Sequence, residues 1–304
     1  MAKGRKRIVV IGEGMLELVR KGEGWQLGYG GDTLNTAIHL ARAGHDVAYL
    51  TALGKDPLSA GLKAQWAAEG LDTSLVLDHP RRSTGLYAIS TDADGERSFA
   101  YWRDTSAVRE MFALPEMARA LAAAEQADLL YYSLISLAIL PPDDREKIFA
   151  LARAIRARGA QVAFDGNYRL RLWGETDEAR WVRDAAIGAA DIGLPTLEDE
   201  TLLSGEADAD AVARHWIGLG CDETVVKLGA LGCRLPDGLI LPPPEVLNPV
   251  DTSGAGDAFN GGYLAARMNG AGVGDAARAG HALAGWCVMR GGAIPARDLA
   301  APYA

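Results

Sequence analysis

The feature that most constrains the fold is the alternation of short, β-branched apolar runs with longer amphipathic stretches. Apolar runs at residues 8–11 and 47–50 predict strands, and the stretch between them has apolar residues at the i, i+3, i+4 and i+7 spacing of one helix face. Asp32 or Thr33 could cap the start of that helix. A strand, a helix and a second strand in this order predict a βαβ unit with parallel strands.

The same alternation continues along the chain. Further strands are predicted at residues 129–132, 161–164, 192–194 and 224–228, and further helices at residues 143–158, 178–189 and 208–218. Such a chain forms a mostly parallel sheet covered by helices, which is an α/β fold. The 304 residues contain no internal repeat and no low-complexity linker, so we expect one large domain with a small appendage.

Two segments break this rhythm. Residues 13–31 are glycine-rich and poor in helix formers, and residues 73–103 contain two strand-like runs around Asp92-Ala-Asp-Gly95, which is typical of a hairpin turn. We expect both segments to form a small β-sheet that projects from the main sheet as a lid. The predicted boundaries are 1–12, 33–72 and 104–304 for the α/β domain, and 13–32 and 73–103 for the lid.

Charge and cysteine usage argue against several classes of protein. The 31 Lys and Arg against 40 Asp and Glu give a net charge of −9, which repels a nucleic-acid backbone. The three cysteines form no C-x-x-C pair and suit a reducing compartment. The apolar stretch at residues 129–140 is shorter than the ~20 residues of a membrane helix. We therefore expect a cytoplasmic protein without nucleic-acid or membrane partners.

The segment with the most chemical information reads D-T-S-G-A-G-D-A-F from Asp251 to Phe259 and leads into a helical pattern over residues 258–268. Unpaired backbone N–H groups at a helix start bind anions, and Gly254 and Gly256 permit close approach. Asp257 would repel such an anion, unless its charge is needed to accept a proton from an attacking hydroxyl. The pattern indicates phosphoryl transfer, although a tight turn with Asp257 as a helix cap would look the same.

Together with other motifs, this segment resembles the D-T-x-G-A-G-D-x-F signature of the PfkB or ribokinase-like family of sugar kinases at every fixed position. Gly30-Gly-Asp-Thr-Leu-Asn35 and Lys227-Leu-Gly-Ala-Leu-Gly232 are similar to the family's N-terminal glycine pair and to its nucleotide-side motif. The resemblance spans essentially the whole chain. It implies a ribokinase-like three-layer α/β/α domain with a mostly parallel central sheet and a small β-sheet lid.

A further set of motifs resembles the branch of this family that acts on 2-keto-3-deoxygluconate. These motifs are Gly12-Glu-Gly-Met-Leu-Glu17, Gly85-Leu-Tyr87, Gly95-Glu-Arg, Tyr101-Trp-Arg103, Ser136-Leu-Ala-Ile-Leu140 and Phe164-Asp-x-Asn-Tyr-Arg169-x-Arg-Leu-Trp173. The resemblance implies ATP-dependent phosphorylation of the terminal hydroxyl of a six-carbon keto acid, with Mg²⁺ as the ion partner. It leaves a requirement for a monovalent cation open.

The resemblance also implies roles for individual residues. Asp257 is the expected general base, and the expected ATP-binding residues are Lys227, Gly229, Gly232, Gly254, Ala255 and Gly256. The expected substrate-binding residues are Gly30, Gly31, Asp32, Asn35, Tyr87, Tyr101, Arg103, Asn167, Arg169 and Asp257. Arginine suits a substrate carboxylate because its planar fork donates two parallel hydrogen bonds.

One motif departs from the family pattern. The family's N-x-x-E segment, which orders magnesium-bound water, aligns with Thr196-Leu-Glu-Asp199, and neither the Asn nor the Glu is retained. Asp199 is therefore the expected metal residue, with Glu198 and Glu200 as alternatives. The same acidic run could instead be a solvated helix start that is favourable to the helix dipole.

Other functions remain open at this point. The chain could phosphorylate fructose, ribose or another keto-deoxy acid, or it could be a non-catalytic sugar-acid sensor or a dinucleotide-dependent enzyme. Residues 12–17 lack the last glycine of G-x-G-x-x-G, which argues against a dinucleotide-dependent enzyme. A G-x-x-x-x-G-K-[ST] motif is absent from the sequence, which argues against a P-loop NTPase. Exposed lid strands could also pair between two copies of the chain in a homo-oligomer.

Overall fold

A computed structural model describes residues 5–91 and 97–303 of the chain. The predicted turn at residues 92–95 lies outside the described residues, as do residues 1–4 of the predicted α/β domain. The strands are β1 (Arg7–Ile11), β2 (Met15–Lys21), β3 (Gly24–Gly30), β4 (Asp46–Gly54), β5 (Val76–His79), β6 (Leu86–Thr91), β7 (Arg97–Trp102), β8 (Leu129–Ser133), β9 (Gln161–Asp165), β10 (Ile192–Gly193), β11 (Glu223–Thr224), β12 (Val226–Lys227), β13 (Cys233–Arg234) and β14 (Ile240–Leu241).

Helices alternate with these strands, as the periodicity predicts. They are α1 (Asp32–Arg42), α2 (Pro57–Ala68), α3 (Met117–Ala124), α4 (Leu134–Ala138), α5 (Pro142–Ala157), α6 (Thr176–Gly188), α7 (Leu197–Ser204), α8 (Ala209–Gly218), α9 (Ala255–Met268) and α10 (Val273–Val288). The structure describes no helix that is both long and apolar enough to cross a membrane. All three cysteines are buried and unpaired.

The central sheet has the strand order β11-β10-β9-β8-β1-β4-β5, and neighbouring strands run parallel. Side chains of the inner strand β1 alternate between two cores: Ile8 and Val10 pack on the side of α1, α2, α9 and α10, and Val9 and Ile11 on the side of α3 to α8. Helices therefore cover both faces of a parallel sheet. This confirms the predicted three-layer α/β/α architecture.

The lid is a four-stranded sheet with the order β3-β2-β6-β7, in which β2 and β6 run parallel and the other pairs antiparallel. The predicted lid segment 73–103 begins too early, because β5 belongs to the central sheet. Strand β4 is longer than the predicted run 47–50, and its last residues, Thr51 to Gly54, pair with Val76 to His79. That pairing places residues 76–79 in the main domain.

Two smaller predictions were also wrong. The predicted strand at residues 224–228 is split: β11 extends the central sheet, and β12 pairs instead with β13 in a small antiparallel sheet. The N-cap of α1 is Gly31 and not Asp32 or Thr33, and no side chain caps this helix. Gly31 has φ 151°, and a Cβ on it would clash with the carbonyl oxygen of Glu13, so a longer cap residue does not fit.

Candidate active site

A cavity of about 1180 Å³ lies between the lid and the main domain. The lid contributes Met15, Tyr87 and Tyr101 to its wall, and the carboxyl end of β9 contributes Asp165. Ligand sites in open parallel sheets lie at this edge. Every residue predicted to bind substrate, nucleotide or metal lies on the cavity wall except Gly30, which is not among the lining residues.

The start of α9 forms one end of the cavity. Gly254 is the N-cap of this helix in a left-handed conformation with φ 67°, and a Cβ there would lie 2.5 Å from the Cβ of Ala293. No side chain caps the helix, so its first backbone N–H groups have no capping side-chain acceptor. Gly254, Ala255 and Gly256 all line the cavity, and a helix start with free backbone N–H groups is the kind of structure that can bind an anion.

Asp257 lies in the first turn of the same helix and is 9% exposed. Its Oδ2 accepts a hydrogen bond of 2.8 Å from Nδ2 of Asn35 on α1. The pKa of Asp257 is raised to about 8, mainly by burial and also by the negative charges of Asp32 and Asp165, while the Asn35 hydrogen bond and the Lys227 charge oppose the rise. A carboxyl group with a pKa near neutrality is suited to accept a proton at physiological pH.

Asp32 is a second carboxylate at the cavity; it is half-buried and lies in the first turn of α1. Its Oδ2 accepts hydrogen bonds from Oγ of Ser133, at 2.5 Å, and from Nδ2 of Asn167, at 3.1 Å. Burial raises its pKa, and the hydrogen bond from Ser133 opposes the rise. The predicted substrate residues Asp32, Asn35 and Asn167 are thus brought together.

A third carboxylate at the cavity, the buried Asp165, belongs to a network that the sequence reasoning missed. Nζ of Lys227 donates to Asp165 and to Asn260, each at 3.1 Å, and Nδ2 of Asn260 donates to Asp165 at 2.8 Å. Nζ of Lys227 also lies 3.6 Å from the position that a Cβ on Gly256 would occupy. The network therefore holds a buried ammonium group beside the helix start.

Two signals could have revealed this network. Asp165 lies inside the Phe164-Asp-x-Asn-Tyr-Arg169 motif, to which only Asn167 and Arg169 were assigned roles. Asn260 follows Asp257 at the i+3 spacing that places two side chains on one helix face. The third member, Lys227, was predicted as a nucleotide residue, and the structure adds its carboxylate and amide partners.

At two glycines of the predicted motifs, Gly30 and Gly232, neighbouring atoms of the protein leave no room for a side chain. A Cβ on Gly30 would clash with the hydroxyl of Tyr87, so the packing of the lid leaves no room for a side chain at this position. Gly229 and Gly232 flank the turn between β12 and β13 with φ 60° and 102°, and both also line the cavity. At Gly232 a Cβ would clash with the carbonyl oxygen of Leu241.

The two arginines predicted to bind a carboxylate already have acidic partners. Arg103 forms an ion pair with Glu13, and both side chains are buried. Nη1 of Arg169 lies 3.0 Å from Oδ1 of Asp199. The hydroxyl of Tyr87 donates to Glu17 across the lid. These residues line the cavity as predicted, with their charges partly compensated.

Asp199 is the predicted metal residue, and its pKa is raised to about 6, mainly by burial and against the opposing positive charge of Arg169. The described part of the chain contains no cluster of three or more His, Cys, Asp or Glu side chains that could hold a metal ion. Mg²⁺ in phosphotransferases is usually bound by one or two carboxylates together with the substrate phosphates. A single carboxylate on the cavity wall fits an ion that enters with the nucleotide.

The three-layer domain, the β lid and a cavity that joins an uncapped helix start to a buried carboxylate are typical of a ribokinase-like kinase. The chain belongs to the pfkB family of carbohydrate kinases, whose model matches residues 5–299.

Comparison with individual proteins agrees with this assignment. The chain is 41% identical to 2-dehydro-3-deoxygluconokinase of Dickeya dadantii (strain 3937), over 95% of this chain and 96% of the relative. It is 41% identical to 2-dehydro-3-deoxygluconokinase of Escherichia coli (strain K12), over 96% of this chain and 98% of the relative. A crystal structure of aminoimidazole riboside kinase from Salmonella enterica, in complex with aminoimidazole riboside and an ATP analog, superposes with a TM-score of 0.81 at 26% identity and covers 95% of both chains.

Proposed function

We propose that this kinase transfers the γ-phosphoryl group of ATP to the terminal hydroxyl of 2-keto-3-deoxy-D-gluconate, also called 2-dehydro-3-deoxygluconate, to give 2-keto-3-deoxy-6-phosphogluconate. The relatives from Dickeya dadantii and Escherichia coli, each 41% identical to this chain, carry this activity in their names. The observation on which the mechanism depends is the position of Asp257, whose buried carboxylate shares one cavity with the helix start at Gly254 to Gly256.

Asp257 acts as the general base in this proposal. As the substrate hydroxyl attacks phosphorus, its proton passes to the Asp257 carboxylate, a new O–P bond forms and the bond to the ADP oxygen breaks. The hydrogen bond from Asn35 fixes the orientation of the carboxylate before the substrate arrives. The pKa of about 8 leaves the group readily protonated once the reaction starts.

The helix start and Lys227 stabilise the charge of the transferring group. Backbone N–H groups at Ala255 and Gly256 and the dipole of α9 favour negative charge at the end of the helix. Lys227 adds a full positive charge, which Asp165 and Asn260 hold in place. Fixed donors of this kind need no rearrangement during the reaction.

Asp199 would hold Mg²⁺ at the phosphate end of the cavity, where the ion would neutralise phosphate charge. Its ion pair with Arg169 is partly exposed, so Mg²⁺ could replace Arg169 as the partner of Asp199 at low cost in free energy.

The lid residues Tyr87 and Tyr101 would cover the sugar and keep out water that could otherwise accept the phosphoryl group. A monovalent-cation requirement and a cytoplasmic location remain predictions.

The test is ADP production by the purified protein with 2-keto-3-deoxygluconate, D-fructose and D-ribose as separate substrates. We expect the keto acid to give the highest kcat/KM. A preference for fructose or ribose would assign the protein to another sugar within the same family. Binding of the keto acid without ADP formation in the presence of ATP and Mg²⁺ would instead favour a sugar-acid sensor.

A further inference from the structure

The N-cap residue of α9, Gly254, packs directly against Ala293. A Cβ on Gly254 would lie 2.5 Å from the Cβ of Ala293 and 2.9 Å from its Cα. A displacement of Ala293 would therefore displace the backbone N–H groups at the helix start. We infer that His39, which is not among the residues that line the cavity, is a positioning residue that holds Ala293 against this helix start. The inference rests on the proposed function, because it requires the helix start to bind the transferring phosphoryl group.

His39 lies on α1, and its side chain is completely buried. Its Nε2 lies 3.2 Å from the carbonyl oxygen of Ala293, and its Nδ1 lies 2.6 Å from the hydroxyl oxygen of Tyr303. Sγ of Cys287 on α10 is a further contact, 3.7 Å from Nε2. On the side of α9, a Cβ on Gly261 would lie 2.6 Å from Cβ of His39. Close packing on several elements therefore fixes the position of the imidazole ring.

The partners of His39 determine which ring nitrogen carries the proton. The pKa of His39 is lowered to about 4, mainly by burial and also by the positive charge of Arg42, so the ring is neutral at physiological pH. A neutral imidazole has one N–H group, and a carbonyl oxygen can only accept a hydrogen bond. Nε2 therefore carries the proton and donates it to the hydrogen bond with Ala293, whereas Nδ1 accepts a hydrogen bond from Tyr303. The second bond keeps the ring in the tautomer that the first bond needs.

His39 belongs to one face of α1 that holds this region of the molecule. Asn35, His39 and Arg42 follow one another at the i, i+4 and i+7 spacing of a single helix face. Asn35 donates to the Asp257 carboxylate, and Nη1 of Arg42 donates to the carbonyl oxygen of Pro295 at 2.7 Å. One helix therefore fixes both the proposed base and the chain segment that supports the start of α9.

A second attachment of this segment comes from Asp251. Its Oδ2 accepts a hydrogen bond of 2.8 Å from the backbone N–H of Gly292, and its Oδ1 accepts one of 2.8 Å from the backbone N–H of Ser253. Asp251 thus joins the loop before α9 to the residue before Ala293. The hydrogen bond from His39 differs in that it holds the carbonyl group of Ala293 itself, so its loss would release the residue that contacts the helix start.

The test is ADP production by variants of the whole chain, with the substrate that gives the highest kcat/KM in the comparison of sugars. His39→Leu removes both ring hydrogen bonds and keeps an apolar side chain. Because small misplacements at a reacting centre are costly, we expect kcat/KM for ATP to fall by about 10- to 100-fold, while the Kd of the sugar without ATP changes by less than about 2-fold. His39→Gln keeps an N–H donor, and its kcat/KM should stay within about 5-fold of the wild type.

His45→Leu is the matched control. His45 is also buried, and its Nε2 lies 3.2 Å from the carbonyl oxygen of Ala265, which lies in the last turns of α9 and not at its start. We expect His45→Leu and His39→Leu to lower the thermal stability to a similar extent, and only His39→Leu to lower kcat/KM for ATP. An equal loss of kcat/KM in both variants would overturn the inference, because it would mean that any weakening of α9 has this effect.

Ala293→Gly tests the same contact without the replacement of a buried ring. It removes the Cβ that packs against Gly254, and we expect kcat/KM for ATP to fall by about 3- to 10-fold. In the variant with both changes, the loss should be smaller than the product of the two single losses, because His39 and Ala293 act on one contact. Losses that multiply would overturn the inference, as would an equal weakening of sugar binding in His39→Leu. A wild-type protein that forms no ADP with any of the three sugars would refute the proposed function, and the inference with it.

Discussion

Asn35 and Asp257, 222 residues apart in sequence, are joined by a 2.8 Å hydrogen bond from Nδ2 of the amide to Oδ2 of the carboxylate. The bond connects the first turns of α1 and α9, so the proposed substrate-binding and phosphate-binding sides of the cavity meet at one carboxylate. Oδ1 of Asn35 is buried and has no hydrogen-bond partner among the described residues. It can accept a hydrogen bond from a substrate hydroxyl that approaches Asp257.

Replacement of the base is the first test of this arrangement. Asp257→Asn keeps the size of the side chain and removes its ability to accept a proton. Because a positioned general base contributes ~10²–10⁴-fold, we expect kcat to fall by that factor while KM changes little. Steady-state kinetics with the keto acid measure both constants, and a turnover close to that of the wild type would contradict the base assignment.

Thermal unfolding provides the control for that variant. The pKa of Asp257 is raised in the folded protein from its ordinary value of 3.8 to about 8, so the folded state binds more protons than the unfolded state between these pH values, and the stability of the wild type falls as the pH rises through this range. The neutral Asn variant lacks this penalty. We expect it to be at least as stable as the wild type at pH 8, and a less stable variant would attribute the lost activity to misfolding.

The same pKa predicts the pH dependence of the reaction. Asp257 must be ionised to accept a proton, so kcat/KM should fall about tenfold per pH unit below pH 8 and level off above it. The three neighbouring carboxyl groups interact, and the apparent pKa belongs to the cluster of Asp32, Asp165 and Asp257. A profile that is flat between pH 6 and pH 9 would exclude Asp257 as the group whose ionisation limits the reaction.

Replacement of Asp165 should shift the pH dependence of kcat/KM. Its negative charge raises the pKa of Asp257. In Asp165→Asn this charge is lost, so the acid limb of kcat/KM should shift to lower pH, and kcat should fall because Lys227 loses its carboxylate partner. A purely structural role for Asp165 would lower stability or activity without shifting the limb, which distinguishes the two roles.

Much of the fold could be predicted because its signals are local. The strand and helix periods place β1, β8, β9, α5, α6 and α8 within about two residues of their observed bounds. The glycines and the aspartate of residues 251–259 predict a helix start, and α9 begins at Ala255. In these segments the side-chain pattern and the backbone requirement are contained in one short stretch of sequence.

The features that were missed depend on partners distant in sequence. Lys227 and Asn260 meet Asp165 across separations of 62 and 95 residues, which no local pattern records. Strand β5 has only four residues, and its membership of the central sheet depends on the unpredicted length of β4. Gly31 caps α1 because the carbonyl of Glu13 excludes a side chain there, and this contact exists only in the folded chain.

Stability measurements separate Arg103 from Arg169. Arg103→Ala leaves Glu13 buried without its cationic partner, and such a loss typically destabilises a protein by about 3–5 kcal/mol. Arg169→Ala removes an ion pair whose arginine side chain is 44% exposed, for which we expect about 0–1 kcal/mol. Chemical denaturation of both variants measures these changes. Equal stability of the two variants would contradict the view that Arg103 primarily supports the fold.

The outer face of the lid predicts the assembly of the protein. In the strand register, Tyr87 and Tyr101 face the cavity, whereas Leu27 and Trp102 lie on the opposite face, together with Trp25. Leu27 is 49% exposed, Trp25 51% and Trp102 59%, and large apolar side chains on an exposed sheet are typical of contact surfaces.

We therefore expect the protein to form a homodimer through the lids, and light scattering should give twice the mass of one chain. Leu27→Glu should shift this mass towards the monomer, whereas Leu239→Glu, at a 65% exposed position outside the lid, should not. A wild-type protein that stays monomeric at micromolar concentration would disprove lid pairing.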